Sequence, residues 1–357
     1  MASILVSSSE EYSGKSSICM GLGKIFQNKG YVIGYMKPVG NLLINVYGSL
    51  VDEDSESIKQ LLGLQDPSEL ITPVYLTDSL INDTLTGIRK DLDNKLREAY
   101  ARISEGKDIV IIEGTGGIGG GAMYDLSDPE IASKLGTRML LVTRFDSIYA
   151  VDRILCDLRI IRDPDMLAGV ILNEVPPAML DRVKELVVPF LERRGISVFG
   201  VIPQDETLRS IPVSDIVDGL HGDVLVGSDR LAELVDNYLV GAMEAGSAIK
   251  YFRRTPDSAV ITGGDRADIQ MAAIEARVKC IVLTGNMQPS GAVLASAEAA
   301  GIPVVLVRGD TMSTIERMEH LIGHAHVKQQ VKLDRILSLL EKNVNVEAIA
   351  ESMGIKI

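Results

Sequence analysis

Tryptophan is absent from the 357 residues, and aromatic side chains together reach only 4%. So few rings leave the core to aliphatic side chains: Ile, Leu, Val, Ala and Met. Cysteine is scarce too. Cys19, Cys156 and Cys280 stand far apart, with no CxxC or Cys/His spacing. That excludes a disulfide framework and a zinc-ligand pattern and fits a reducing compartment, and each cysteine is expected to be a buried small hydrophobe. No apolar run reaches the ~18 residues a membrane span needs. Met1 to Ser7 has neither the basic start nor the long apolar stretch of a secretion signal, so the expected location is the cytoplasm. Positive charge is outnumbered, 36 Lys and Arg against 49 Asp and Glu, for a net charge of −13. Such a balance argues against nucleic acid or an anionic membrane as partner, while leaving room for a local basic pocket.

What is present points to a folded α/β protein. Hydrophobic residues make up 46% and charged residues 24%, the values of a globular chain, and the length suggests two domains with a small tail. Short continuous apolar runs predict strands at 4–7, 32–37, 109–113, 139–143, 168–172 and 198–202. Helical spacing between them predicts helices at 91–103, 147–162 and 178–194. This alternation reads as a doubly wound, mostly parallel sheet. Pro203 and Pro212 bracket a polar stretch where a boundary is expected. Beyond it a smaller α/β domain is expected, with strands at 224–226, 259–262, 280–284 and 304–307 and helices at 266–277, 292–300 and 313–322. The expected division is 1–210, 211–325 and a helical polar tail over 326–357.

The most informative segment runs from Ile4 to Ser17. A strand enters a polar turn that closes on Gly14-Lys15-Ser16 and opens an amphipathic helix marked by Ile18, Leu22, Ile25 and Phe26. Such a turn points main-chain N–H groups inward to hold phosphate oxygens, here those of Ser13, Gly14, Lys15, Ser16 and Ser17. Lys15 adds a cation for the terminal phosphates, and the Ser16 hydroxyl is a magnesium ligand. Ser9 stands where the GxxxxGK[ST] pattern has its first glycine, and Glu10 and Glu11 place negative charge beside the site.

A phosphate loop needs carboxylates to hold magnesium. Glu113 ends an apolar strand, where open α/β sheets bind ligands, and six glycines follow between Gly114 and Gly121. A second acidic region, Asp52-Glu53-Asp54-Ser55-Glu56, opens an expected helix over 57–62, a place where acids also simply satisfy the helix dipole. Lys37, at the end of the second strand, is a candidate to stabilise an anionic substrate.

In this order, Gly14-Lys15-Ser16, Met36-Lys37-Pro38-Val39, the acidic helix start, Ile112-Glu113-Gly114, Gly169-Val170-Ile171-Leu172-Asn173 and Phe199-Gly200-Val201-Ile202-Pro203 resemble dethiobiotin synthetase. The Gly-rich stretch ending in Tyr124-Asp125-Leu126-Ser127 is closer still to the dethiobiotin synthetase-like N-terminal region of long phosphotransacetylases. The resemblance covers about residues 1–210. Thr262-Gly263-Gly264-Asp265-Arg266 and Leu283-Thr284-Gly285 resemble the DRTGG module, with Asn286 where its second signature has a final glycine.

The resemblance implies ATP or another nucleoside triphosphate with Mg2+ as cofactors. It implies that Lys15 binds phosphates; that Ser16, Glu113 and Asp54 bind magnesium, or Asp52 in place of Asp54 with a small register shift; that Lys37 faces a carboxylate or carbamate; and that Asn173 contacts the base. A homodimer is expected on the same ground. Residues reading the diamine of biotin synthesis find no match, so biotin synthesis is not expected. Acetyl transfer is not expected from these residues, because that domain would need roughly 300 more. Cys280 lies within an expected strand without the glycine-flanked turn of a glutaminase nucleophile, so glutamine-dependent amidation is not expected either. Three functions follow: a nucleotide-sensing regulator, an ATP-dependent ligase acting on a small acidic metabolite, and a non-catalytic scaffold with a vestigial site.

Overall fold

The computed structural model describes residues 1–46, 48–323 and 330–356. The chain divides into two compact units. One holds Met1–Gln204 with the C-terminal helices, and the other begins at Asp205.

In the first unit β1 (Ala2–Ser8), β2 (Ile33–Met36), β3 (Ile109–Glu113), β4 (Arg138–Arg144), β5 (Leu167–Val175) and β6 (Val198–Pro203) form one sheet. Its order is β6-β5-β4-β1-β3-β2, and every neighbouring pair is parallel. All six expected strands are present, with ends shifted. The apolar runs have the predicted cause: Ile109 to Ile112 and Met139 to Val142 are fully buried, covered by helices on both faces. β1 lies at the centre, Leu5 standing between Ile112 of β3 and Met139 of β4.

The helix expected over 178–194 is interrupted. Leu180–Arg182 and Val188–Glu192 flank a π turn over Val183–Val187. Pro189 has no N–H to close the bond four residues back, and the turn widens there. A hairpin of Leu43–Val46 and Ser49–Asp52 and the helices Asp78–Leu85 and Asp128–Leu135 carry too little apolar periodicity to be read from the sequence. Cys19 and Cys280 are buried as expected, but Cys156 is exposed. On its helix, Tyr149–Ile160, the buried stripe is Ala150, Val151, Ile154 and Asp157, and position 156 falls outside that face.

The tail expected from His326 begins outside the described residues. Its described part is two helices, Gln330–Asn343 and Val346–Ser352. The first packs on α1 (Lys15–Asn28) at Gly21, where a Cβ would stand 2.2 Å from Leu340 Cδ1 and 2.9 Å from Ile336 Cγ2. Leu340→Ala is expected to destabilise the first unit by about 2–5 kcal/mol. Urea unfolding followed by circular dichroism should show a lower midpoint at unchanged slope. An unmoved midpoint would mean that this helix is not docked in solution.

The second unit has β7 (Asp223–Val226), β8 (Asn237–Val240), β9 (Ser258–Gly263), β10 (Cys280–Thr284) and β11 (Val304–Leu306) in the order β7-β11-β10-β9-β8. All pairs are parallel except β7 with β11. Helices Ala267–Ala276 and Gly291–Ala300 contribute to one core, which includes Val260, Ile281 and Val304, while Ile216 and Met318 belong to the other. The Thr-Gly-Gly stretch that ends β9 needs glycine for room at its last position: a Cβ on Gly264 would lie 1.8 Å from the Met287 carbonyl oxygen. Asn286 holds the left-handed conformation, φ 53°, which asparagine tolerates better than most residues.

Candidate functional site

The site grows out of β1. The chain turns through Ser9–Gly14 and starts α1 at Lys15, beside the point where the chain crosses from β3 to β4 on the other side of β1. That is where open α/β sheets form their ligand crevice. Gly14 caps α1 with φ 89°, and a Cβ there would stand 2.3 Å from Asn173 Nδ2, so both conformation and space require glycine. The Ser8 and Ser13 hydroxyls both donate to the Glu10 carbonyl, at 2.7 and 2.8 Å. Ser9 is not among the positive-φ residues, so its backbone does not demand the glycine of the pattern. It is fixed instead by Ser9 N donating to the Val142 carbonyl at 3.2 Å and by a 2.7 Å bond between its hydroxyl and that of Thr143. The first turn of α1 turns its N–H groups and positive dipole end toward this loop, with Ser17 in that turn.

Lys15 is buried, and its ammonium donates to Ser8 Oγ at 2.7 Å and to the Gly116 carbonyl. Burial pulls its pKa below the usual lysine value, against the charges of Asp128 and Glu113. Ser16 Oγ donates to Glu113 Oε1 at 2.7 Å, and Tyr35 donates its hydroxyl to Glu113 Oε2 at 2.8 Å. Burial raises Glu113 above the usual carboxylate range, with Lys37 opposing.

Lys37 pairs with Asp52 at 2.8 Å and with Asp54 at 3.0 Å. Burial lowers its pKa, but Asp54, Glu113 and Asp52 outweigh that and hold it above its ordinary value. Asp52 caps α2 (Glu53–Leu62) through Ser55 N and also accepts from the Asn41 and Leu42 amides, so its oxygens are occupied within the fold. The acids therefore do open a helix, with both Asp52 and Asp54 drawn onto Lys37.

The glycine-rich loop after β3 is pinned by a residue the sequence did not offer. Asp128, fully buried at the start of its helix, accepts from Ser7 Oγ at 2.6 Å and from Thr115 N at 3.1 Å. Burial pushes its pKa up to about 7, with the Ser7 bond and the Lys15 charge opposing. Gly114 leaves room for it, since a Cβ there would lie 2.2 Å from Asp128 Oδ2. In the fold Ser127-Asp128-Pro129-Glu130 opens the helix Asp128–Leu135, and the Ser127 amide donates to Glu130 Oε2 at 2.9 Å. Tyr35 reads as a strand residue, and only the fold aims its hydroxyl at Glu113.

The structure thus gathers Ser13, Gly14, Lys15, Ser16, Glu113, Lys37 and Asp54 about one loop. Asn173, expected at a base, has its amide donating to the Ser13 carbonyl at 2.9 Å, where it supports the loop. Among the described residues, no three His, Cys, Asp or Glu side chains group as a metal site by themselves. Cys280 is fully buried, and burial pushes its thiol up to about 12, which does not suit a nucleophile. Among the described residues, no helix is long and apolar enough to cross a membrane.

A wholly parallel sheet whose central strand feeds a glycine-lysine-serine loop and then a helix defines a P-loop protein of the α/β class. The family model described as an AAA domain matches residues 2–211, and the chain belongs to that family; it carries the dethiobiotin synthetase-like form of the domain, followed by a DRTGG domain matched over residues 215–321. The phosphate acetyltransferase of Nitratidesulfovibrio vulgaris is 25% identical over 96% of this chain and 50% of its own length. The ATP-dependent dethiobiotin synthetase of Methanococcus vannielii is 27% identical over 56% of this chain and 77% of its own. The chain spans about half the length of the curated phosphate acetyltransferases it matches. Among solved structures, the CBS and DRTGG domains of the Clostridium perfringens pyrophosphatase regulatory region, complexed with diadenosine tetraphosphate, give a TM-score of 0.28 at 18% identity, over 40% of this chain and 69% of that one.

Proposed function

We propose that the first unit binds a nucleoside triphosphate, ATP with Mg2+, and that the chain acts as a nucleotide-responsive regulator. The observation that carries this is the Lys15 ammonium, buried at the mouth of the loop and held by a serine hydroxyl and the carbonyl of Gly116. A phosphate tail competes for that ammonium. Its arrival frees the Gly116 carbonyl, so the state of the nucleotide reaches the glycine-rich loop. Ser16 and Glu113, already in contact, are hard oxygen donors that suit magnesium, with Asp54 close enough in charge to raise Glu113. The metal, when bound, neutralises phosphate charge. The same proposal includes a homodimer and a cytoplasmic location.

The ligase reading keeps one specific support: Lys15, Glu113 and Lys37 stand together, as activation of a small acidic metabolite requires. Against it, Lys37 already holds two carboxylates, which leaves it poorly placed to receive a third, and this favours binding and sensing. A thermal-shift panel of ATP, GTP and their diphosphates, each with and without Mg2+, tests both. Ligand at 100 times its Kd should add about 2.7 kcal/mol of stability. We expect the largest shift with ATP and Mg2+ and phosphate release no faster than background. No shift with any nucleotide would favour the vestigial scaffold, and steady release would favour the ligase.

A further inference from the structure

A knot of charge lies against the phosphate loop, and nothing in the proposed site uses it. Arg153, on helix Tyr149–Ile160, donates Nη1 to Glu10 Oε2 at 2.9 Å and Nη2 to the Arg144 carbonyl and Asp146 Oδ1, both at 2.9 Å. Arg144, at the end of β4, brings its Nε within 3.4 Å of Glu10 Oε1. Asp157, one turn beyond Arg153, is hydrogen-bonded to Ser9 of the loop. Six buried side-chain polar atoms among the described residues lack a hydrogen-bond partner, and four of them are in this knot: Glu10 Oε1, Arg144 Nε, Arg153 Nε and Asp157 Oδ2.

Buried polar atoms that make no hydrogen bond are destabilising, even where an ion pair remains, as between Glu10 Oε1 and Arg144 Nε, and native interiors hold few. Their concentration at one place marks an arrangement that stability alone does not account for. Glu10 cannot leave the loop, because its carbonyl is the shared acceptor of Ser8 and Ser13. Its carboxylate therefore stays within a side chain's reach of a cradle meant for anions, and Arg153 and Arg144 hold it where it stands. At an effective dielectric of about 20, two unit charges 4 Å apart interact by about 4 kcal/mol, so even at greater distance an unscreened carboxylate works against a triphosphate.

We infer that Arg153, assisted by Arg144, is a positioning residue for nucleotide binding: it holds the Glu10 carboxylate against β4 and the following helix and cancels its charge, so that a loop carrying an acid can take a polyphosphate. This rests on the nucleotide-binding reading above. It gives the acid beside the site a partner: Glu10 sits in the loop, and the compensating cations sit on β4 and the helix after it.

Isothermal titration of the full chain with the imido analogue of ATP and Mg2+ tests it on four proteins. Arg153→Met should weaken binding by about tenfold or more, equivalent to about 1.4 kcal/mol. Glu10→Gln should tighten binding about threefold by removing the charge. The double variant should bind no more weakly than wild type, a rescue that a merely structural role for Arg153 would not give. The Arg153→Met deficit should also shrink as salt rises from about 0.05 to about 0.5 M. A double variant as weak as Arg153→Met, or an Arg153→Met protein that binds like wild type, overturns the inference. If Arg153→Met does not fold, Arg144→Met with and without Glu10→Gln carries the same test with the same two outcomes. Wild type that fails to bind nucleotide sinks the nucleotide reading and the clamp together, whereas wild type that binds with no coupling sinks the clamp alone.

Discussion

Lys15→Met should abolish the nucleotide-dependent rise in melting temperature, weakening affinity about 100-fold or more, and should leave the unliganded protein at least as stable as wild type. The first half follows from chemistry: a hydrogen bond to a charged group is worth about 1.5–3 kcal/mol, and this ammonium serves several phosphate oxygens in a water-poor site. The second half follows from burial. Lys15 is desolvated to the point that its pKa falls. Its removal need orphan neither partner: the Ser8 hydroxyl, 2.7 Å from the Gly116 carbonyl, can turn its one proton onto it, while Ser13 still donates to the Glu10 carbonyl. Methionine keeps the volume of the stem, so no large cavity opens. Calorimetry without ligand and thermal shift with ATP and Mg2+ separate the halves. A variant that still binds within tenfold of wild type would remove Lys15 from the site. A variant that binds poorly only because it has melted would show as a drop in the unliganded transition.

The unliganded protein should lose stability as pH rises from about 4 to about 7, and Asp128→Asn should flatten that slope. In the unfolded chain Asp128 titrates near the ordinary 3.8; in the fold, burial lifts it to about 7. Between those values the folded state holds a proton that the unfolded state has released, so stability falls with rising pH and the loss is complete above the folded value. A tenfold difference in proton affinity between the two states corresponds to about 1.4 kcal/mol, which sets an upper bound of a few kcal/mol for this group. An amide at position 128 cannot ionise. It can still donate or accept toward Ser7 and Thr115, so the variant should fold and show a melting temperature less dependent on pH across this window. Scanning calorimetry at several pH values reads the difference. Identical profiles for the two proteins would mean that the carboxyl is ionised in the fold throughout.

Both predictions concern residues whose legibility in the sequence differs. Lys15 is visible because a strand, a polar turn, Gly-Lys-Ser and an amphipathic helix occur in one local run, and each part has a local cause. Glu113 is visible because an apolar strand ends in an acid and then glycines. Asp128 and Tyr35 are not, since the first opens a helix too weakly periodic to be read and the second reads as strand. Their partners, Ser7 and Glu113, lie far away in the chain. The Glu10 clamp is half legible. The acid stands out as negative charge beside a phosphate loop, but Arg153 is more than a hundred residues on and reads as one more charge on a helix.

Local sequence set the period of the sheet strands and of several helices: continuous apolar runs became strands buried on two faces, and stripes at helical spacing became helices packed on them. It also dictated the glycine at position 14, since a turn into a helix with positive φ admits little else. Tertiary contacts settled the order of the strands, and with it which side chains meet. They set Lys37 between Asp52 and Asp54, turned Asn173 onto the loop, laid helix Gln330–Asn343 on Gly21 and left Cys156 facing outward. The physical reason is range. Backbone preference and hydrophobic period act over a few residues and are written in local composition. Ion pairs, desolvation and close packing act across space between segments that only the folded chain brings together.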